Sequence, residues 1–249
     1  MKIQISGDLH LEYINFEKVK ISELLHCSDA NILILAGDIG SLYEPQKLRL
    51  FLEKICVRYR YVLYVPGNTE FYTCPRQVPK EFNYLLNELL KIEKKISNLF
   101  ILNRKSVQID DILFSGAILW SLPEDRLPSH FRIHEMSREM YTNKHMQDSK
   151  YILDSICYAG ELGVKHHVII THYCPLPGEK NNRGDMYYNK NLFEKIPEVN
   201  NCNTKFTWIF GHTHESFDQQ LKGINFISNS RGKLKSLNNK YNNQYTIQV

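Results

Sequence analysis

The stretch Trp208-Ile209-Phe210-Gly211-His212-Thr213-His214 leads from a short apolar run through a glycine to two imidazoles two residues apart. The apolar run predicts a buried strand, and in extended or turning backbone residues i and i+2 point to one side of the chain. Both imidazoles are therefore expected to face one cavity, which suits metal ligation. Histidine is also common at surfaces and in hydrogen-bonded cores, so the pair gains meaning only from the rest of the chain.

Four further apolar runs are equally short and are bounded by glycine, proline or polar residues, as buried strands are. They are Ile3 to Ile5, Ile32 to Leu35, Val62 to Val65 and Val168 to Ile170. Between the early runs, apolar residues recur with helical spacing from Leu48 to Tyr59 and from Phe82 to Ile96, and Pro79 suits a first helical turn. This alternation predicts an α/β fold with βαβ units and helices covering a sheet. Later runs at 112–115, 224–227 and 245–249 predict a second or mixed sheet.

Length and composition predict one globular domain spanning residues 1–249, because 249 residues with 43% hydrophobic side chains can bury one sizeable core. No apolar run approaches the roughly 20 residues that a membrane span needs. The six cysteines lack Cys-x-x-Cys spacing and no secretion signal precedes the first strand, so we expect a reduced, cytoplasmic protein. A formal charge of +4 permits an anionic partner but does not indicate nucleic acid.

Each of the five strand-like runs is followed by side chains that can bind a metal ion. The five segments are Gly7-Asp8-Leu9-His10, Gly37-Asp38, Gly67-Asn68, Thr171-His172 and Gly211-His212-Thr213-His214. Strand ends gather at one edge of an open α/β sheet, so these side chains are expected to converge. Taken singly, Asp38 also suits a helix cap, Asn68 a turn and His10 a core histidine. Seven such residues at five strand ends favour a shared site.

The predicted ligands are imidazoles, carboxylates and one amide oxygen, without a thiolate. This set suits Zn, Fe or Mn better than an all-oxygen Mg or Ca site. Seven ligands are too many for one tetrahedral ion and fit two divalent ions that share a carboxylate, about 3.5–4 Å apart, and activate a water for attack on phosphorus. We therefore expect two divalent metal ions as cofactors.

In this order the five segments resemble the signature of the calcineurin-like metallophosphoesterases: Asp-x-His, Gly-Asp, Gly-Asn-His-Glu or Asp, a lone His and Gly-His-x-His. The resemblance implies one metal held by Asp8, His10, Asp38 and His214, and a second held by Asp38, Asn68, His172 and His212. Asp38 would bridge the two ions. It also implies the family's fold of two mixed sheets packed face to face and flanked by helices. Segments 171–175 and 229–232 are similar to a branch of small single-domain phosphoesterases with broad or unassigned substrates.

One residue departs from the signature, because Thr69 follows Asn68 where the family has a histidine. In the family that histidine is credited with contacting the phosphate and assisting the leaving group. Threonine cannot act as an acid near neutral pH. General acid catalysis, which typically raises the rate by about 10²–10⁴-fold, is therefore absent or comes from His10, His130 or His134. We predict that hydrolysis is retained, with a preference for phosphodiesters and for esters with good leaving groups.

Segment 122–150 carries several arginines, histidines and methionines, and we interpret it either as a solvated helical segment or as a lid over the substrate. Residues 175–191 predict a long loop, and residues 233–243 a solvated connection. Substrate contacts are predicted at four residues: Thr69, Arg231, His130 and Arg132.

The sequence thus predicts a dinuclear metal-dependent phosphoesterase in which a metal-activated hydroxide attacks phosphorus, with catalytic roles for Asp38, Asn68 and His10. Its substrate would be a small phosphoester or a nucleotide. Two kinds of alternative remain open. One is a phosphomonoesterase, protein phosphatase or nuclease of the same family, and the other is a metal-binding interaction scaffold without catalysis.

Overall fold

The computed structural model of the chain describes residues 1–16, 19–74, 77–122, 127, 131–178, 189–200 and 202–249. Two β-sheets pack face to face, and helices cover their outer sides, which confirms the predicted α/β fold of two packed mixed sheets. The strands are β1 (Lys2–Ser6), β2 (Ile32–Ala36), β3 (Tyr61–Val65), β4 (Leu99–Ile101), β5 (Lys105–Ile109), β6 (Ile112–Ala117), β7 (His166–Thr171), β8 (Lys205–Phe210), β9 (Ser216–Leu221), β10 (Ile224–Asn229) and β11 (Thr246–Gln248). The α-helices are α1 (Ile21–Leu24), α2 (Pro45–Cys56), α3 (Phe82–Glu93), α4 (Arg138–Leu162) and α5 (Lys190–Lys195).

Both sheets are mixed, with parallel central strands. The first has the order β11-β1-β2-β3-β4, in which β1 to β4 run parallel and the edge strand β11 pairs antiparallel with β1. The second has the order β5-β6-β7-β8-β10-β9, in which both edge strands, β5 and β9, are antiparallel to their neighbours. Parallel strands are buried on both faces, which explains the continuous apolar runs in β2, β3 and β7. In β1, Ile3 and Ile5 flank Gln4, which is also buried.

Alternate residues of the parallel strands divide the core into an inner and an outer part. The inner residues of both sheets, such as Ile5, Ile34 and Ile170, pack against each other between the sheets. The outer residues, such as Leu33 and Trp208, pack beneath the helices. This layering holds β1, β2 and β3 beside β7 and β8, so that the loops after these strands can meet.

Helices α2 and α3 lie where apolar spacing predicts them, but the expectation that Pro79 belongs to the first turn of α3 is wrong. The helix begins at Phe82, after a cap at Glu81 in extended conformation. The backbone N–H of Lys80 donates to the hydroxyl of Tyr43 at 2.9 Å, which ties the segment before the helix to the loop after β2. Residues 79–81 therefore form a connection.

Helix α4 contains the second half of the predicted lid segment. It packs against β6 and β7 and buries Tyr141, His145 and Asp148, with a Ser137 cap at its start. Residues from Arg138 onward thus lie in a packed helix, and the lid interpretation of segment 122–150 remains a prediction. Residues 123–126 and 128–130 lie outside the described residues, as do 179–188 of the predicted loop. Among the described helices, none combines the length and the apolarity that crossing a membrane requires.

Two adjacent histidines of β7 are structural, and they make stability dependent on pH. His167 is fully buried beside Ser115 Oγ at 2.9 Å. Burial, followed by the charge of His166, lowers the pKa of His167 from 6.5 to about 3. The unfolded chain therefore binds more protons than the folded chain between these two values, and the stability from a neutral His167 is lost as the pH falls from 6.5.

We expect His167→Gln to reduce this acid sensitivity. Between pH 6.5 and 5 the stability advantage of wild type over the variant should shrink by up to about 2 kcal/mol, because one proton contributes about 1.4 kcal/mol per pH unit. Urea unfolding of the metal-free proteins at both pH values measures this difference. A constant difference between the two proteins would show that the folded state accommodates a protonated His167.

Candidate metal and phosphoester site

The five loops that follow β1, β2, β3, β7 and β8 meet at one edge and bring the seven predicted ligands together. Five of these residues, Asp8, His10, Asp38, His212 and His214, have left-handed backbone with φ from 52° to 67°. Such conformations cost non-glycine residues roughly 1–3 kcal/mol each and persist only where the surrounding fold fixes them. The N–H of His10 donating to the carbonyl of Asp38 at 3.0 Å is one such restraint. Backbone strain is therefore concentrated at this edge.

Asp8, His10 and His214 form the first group of candidate ligands, with one donor atom of each within 4.8 Å of the others. His10 Nε2 lies 3.2 Å from His214 Nε2, which lies 3.3 Å from Asp8 Oδ1. Burial alone would raise the pKa of Asp8, but the neighbouring imidazoles, above all His214, hold that pKa below its usual value. On its far side, His10 Nδ1 donates to Glu12 Oε1 at 2.9 Å.

Asp38, His172 and His212 form the second group, again with one donor atom of each within 4.8 Å of the others. His212 Nδ1 lies 3.1 Å from His172 Nε2. Asn68 joins this group, because its Oδ1 lies 2.9 Å from His172 Nε2. His172 Nδ1 donates to the carbonyl of Ala36 at 3.0 Å, which fixes the orientation of the ring.

The carboxylate of Asp38 lies between the two groups. Its Oδ1 is 3.3 Å from His172 Nε2, and its Oδ2 is 3.9 Å from His10 Nε2. Burial opposes ionisation of Asp38, yet the neighbouring imidazoles of His172 and His10 and the N–H of Thr69 lower its pKa to about 2. Asp38 is therefore an anion with one oxygen directed at each group.

The donor atoms fit divalent ions for a simple electrostatic reason. Because His172 donates through Nδ1, its neutral ring presents a lone pair at Nε2. That lone pair faces Asn68 Oδ1 and Asp38 Oδ1, which are also acceptors. Three acceptors at this spacing repel one another unless a positive charge lies between them, and imidazole, carboxylate and amide donors suit Mn, Fe or Zn.

A buried glutamate, Glu70, fixes two of these loops. Its Oε2 accepts from the N–H of Asp38 at 3.1 Å and from the N–H of Gly67 at 2.9 Å. Its Oε1 accepts from the N–H of Ile39 at 2.7 Å and from the hydroxyl of Tyr64 at 2.5 Å. One carboxylate thereby joins the loop after β2 to the loop after β3.

Of the predicted substrate contacts, Thr69 lies directly at the site. Its N–H donates to Asp38 Oδ1 at 2.8 Å. Its hydroxyl oxygen is buried and has no hydrogen-bond partner among the residues that the structure describes. A buried polar atom without a partner costs stability, so this hydroxyl is available to a ligand.

The predicted cations have different positions. Arg231 directs its guanidinium to the carbonyl of Leu9 at 3.3 Å. Arg132 is exposed, and its charge lowers the pKa of Tyr13, although burial raises that pKa overall. His130 lies outside the described residues. His134 is half-buried beside Glu135 at 3.4 Å.

Two residues that the sequence analysis did not single out also face the site. Lys233 lowers the pKa of both Asp38 and His212, after burial and the charges of nearby histidines. It follows Gly232, whose left-handed turn brings the backbone beside His214. Residues 233–243 contain no helix or strand and are mostly exposed, as expected of a solvated connection. No sequence signal places Lys233 near the candidate ligands, because its position depends on how the loop after β10 folds back.

Tyr13 is the second such residue. Its ring lies 6.0 Å from the ring of His10, and 54% of the residue is exposed. It therefore forms part of the rim beside the first group. A hydrophobic residue near the end of the Asp-x-His segment would normally be expected to pack in the core, so its exposure was not predictable.

Comparison with known families identifies the fold and the class. A sequence model of the calcineurin-like phosphoesterases matches residues 1–216, which include all seven candidate ligands. The chain belongs to this family. The chain is also similar to an uncharacterized protein of Acanthamoeba polyphaga mimivirus. The two are 28% identical over 261 residues, which cover 94% of this chain and 91% of the relative.

Two solved structures share the calcineurin-like phosphoesterase fold. The phosphopantetheinyl hydrolase of Mycobacterium tuberculosis matches with a TM-score of 0.62 at 17% identity, covering 94% of this chain and 90% of its own. A protein from Thermus thermophilus matches with a TM-score of 0.57 at 11% identity, and the match covers 92% of this chain and 88% of that protein. At these identities the likeness concerns the fold alone. Family membership makes a phosphoric ester hydrolase the class of activity.

Proposed function

We propose that this calcineurin-like phosphoesterase is a dinuclear metal-dependent hydrolase that favours phosphodiesters of small molecules or nucleotides. The observation that carries the proposal is the position of Asp38, whose two oxygens face His172 and His10 in separate groups of candidate ligands. One carboxylate between two imidazole-rich groups is the arrangement that two ions sharing a ligand require.

The residues that would hold the ions are the seven of the two groups. One ion would be held by Asp8, His10 and His214. The other would be held by Asn68, His172 and His212. Asp38 would bind both ions. Mn, Fe or Zn bound there would supply Lewis acidity and an activated water for attack on phosphorus. The chain's own contribution is to fix the donors before substrate binds, through left-handed backbone and the hydrogen bonds of Glu70.

Substrate recognition is assigned to the polar groups around this centre. The free hydroxyl of Thr69 would donate to a phosphoryl oxygen, since it is buried next to Asp38 and lacks a partner among the described residues. Lys233 would add positive charge on the side of His212. Arg132 and Tyr13 would contact the remote part of the substrate at the rim, and we retain Arg231 and His130 as weaker candidates.

The diester preference follows from Thr69, which cannot protonate a leaving oxygen. A phosphodiester with a nitrophenyl leaving group needs no such proton, whereas an alkyl monoester does. His10 does not replace the missing acid readily, because its Nδ1 is bonded to Glu12 and its Nε2 faces His214.

We therefore expect Thr69→His to change the substrate preference. Hydrolysis of an alkyl phosphate monoester should rise by about 10²-fold, the lower end of what general acid catalysis contributes. Hydrolysis of bis-nitrophenyl phosphate should change by less than about fivefold, because its leaving group is already good. Rates measured with Mn, Zn and Fe for wild type, Thr69→His and a Thr69→Ser control that keeps the hydroxyl would test this.

Equal gains on both substrates would contradict the assignment of Thr69 to the leaving-group side. Wild-type preference for monoesters would contradict the diester proposal and favour a phosphatase. Two bound ions without hydrolysis of any phosphoester would favour a metal-binding scaffold.

A further inference from the structure

Glu12 occupies an unusual electrostatic position behind His10. Its side chain is 9% exposed, and Oε1 accepts the Nδ1 proton of His10 at 2.9 Å. In the described part of the chain, Oε2 is buried without any hydrogen-bond partner, and no lysine or arginine lies within ion-pair distance of this carboxylate. A buried carboxylate without a cation is costly, often by several kcal/mol.

The hydrogen bond to Glu12 also decides which nitrogen of His10 faces the candidate site. With Nδ1 protonated and bonded to Glu12, the neutral ring has its lone pair at Nε2, the atom that lies 3.2 Å from His214 Nε2. The nearest partner of Nε2 thus belongs to the first group of candidate ligands. Glu12 fixes both the tautomer and the direction of the donor atom.

The histidine at the corresponding place in the second group, His172, has a neutral partner instead. Its Nδ1 donates to the carbonyl of Ala36 at 3.0 Å. His10 and His172 therefore differ in the charge of the group behind the ring, which is a carboxylate for His10 and a carbonyl for His172.

We propose that Glu12 is a positioning residue that holds His10 with Nε2 directed into the first group and increases that group's affinity for a divalent ion. The proposal rests on the metal binding in the proposed function. A divalent ion at Nε2 of His10 would place positive charge on the opposite side of the ring from the buried carboxylate of Glu12. Binding of the ion would therefore offset the cost of burying that carboxylate. Partners of this kind typically change metal affinity by about 10- to 100-fold.

The test is a stepwise titration of metal-stripped protein with Co²⁺, followed by visible absorption, and with Mn²⁺, followed by EPR. Glu12→Gln keeps the size of the side chain and an oxygen that accepts from Nδ1, but removes the charge. We expect one of the two ions to bind about 10- to 100-fold more weakly and the other to bind unchanged. Glu12→Asp, which keeps the charge, should restore part of the affinity.

Glu93→Gln is the matched control. Glu93 also accepts hydrogen bonds, from the N–H of Ile101 at 2.8 Å and from Lys105 at 3.0 Å. It belongs to α3, and neither of these two partners is a candidate ligand. This variant should lose some stability and bind both ions as wild type does. Thermal unfolding of each variant separates a folding defect from a change in affinity. If Glu12→Gln does not fold, the metal affinity of Glu12→Asp is measured in its place.

Unchanged affinity for both ions in Glu12→Gln, or an equal loss for both, would overturn the role of Glu12. Wild-type protein that binds no divalent ion would overturn this role and the proposed function together. Two bound ions with the expected selective loss, but no hydrolysis of any phosphoester by wild type, would overturn the proposed hydrolase activity and leave the role of Glu12 supported.

Discussion

Asp38→Asn is expected to lower hydrolysis of bis-nitrophenyl phosphate by at least about 10³-fold and to reduce the bound divalent ions from two per chain to one or none. The substitution keeps the shape of the side chain but removes the charge that faces both groups. Loss of an ion that stabilises the transition state costs several kcal/mol, and each 1.36 kcal/mol is a factor of ten in rate. Steady-state kinetics and metal analysis of the dialysed protein measure the two effects.

The control for this substitution is Asp111→Asn, which changes an exposed aspartate that pairs with Lys165 at 2.8 Å. Surface pairs of this kind contribute little to stability, so activity and metal content should match wild type. Asp38→Asn with two tightly bound ions and more than a tenth of wild-type activity would show that Asp38 does not bridge them.

Gly67→Ala is expected to reduce hydrolysis by about 10²-fold or more, although it adds only a methyl group. A Cβ at Gly67 would lie 2.2 Å from Asp38 Oδ1 and 2.5 Å from the backbone N of Asp38, and the second contact is with the backbone, so rotation of a side chain cannot relieve it. Asp38 or its loop must move, and a displacement of about 1 Å at a catalytic group can cost about 10²-fold. Kinetics at saturating metal concentration, with metal analysis, would detect the change.

Gly160→Ala is the matched control, because a Cβ there meets nothing within 4 Å. It lies in the last turn of α4, where alanine should raise the free energy of unfolding by at most about 1 kcal/mol without affecting hydrolysis. Full activity in Gly67→Ala would contradict this prediction, because it would show that the close packing of Gly67 against Asp38 does not fix the position of the carboxylate.

The five parallel strands that support the site could be predicted from the sequence because burial on both faces makes them short and rich in apolar residues. The same argument predicted that Asp8, His172 and His214, far apart in sequence, would meet at one edge. Their meeting requires only that strand ends gather there, which is a property of the fold class.

The remaining features depend on tertiary contacts that no local pattern encodes. Pro79 suits a helix start, but the helix begins only at Phe82, after Glu81 in extended conformation. Lys233 comes near the candidate ligands because the chain turns at Gly232. Glu12 could have been noticed from its spacing of two residues from His10, yet its significance comes from burial and from an oxygen without a partner.

Two ions sharing Asp38 are the central feature of the proposed site, and EPR spectroscopy of the protein loaded with two equivalents of Mn²⁺ tests for them directly. A carboxylate that bridges ions about 3.5–4 Å apart couples their spins, so we predict an exchange-coupled spectrum for wild type that is lost in Asp38→Asn. Two independent Mn²⁺ signals in wild type, or saturation at a single ion per chain, would contradict the account.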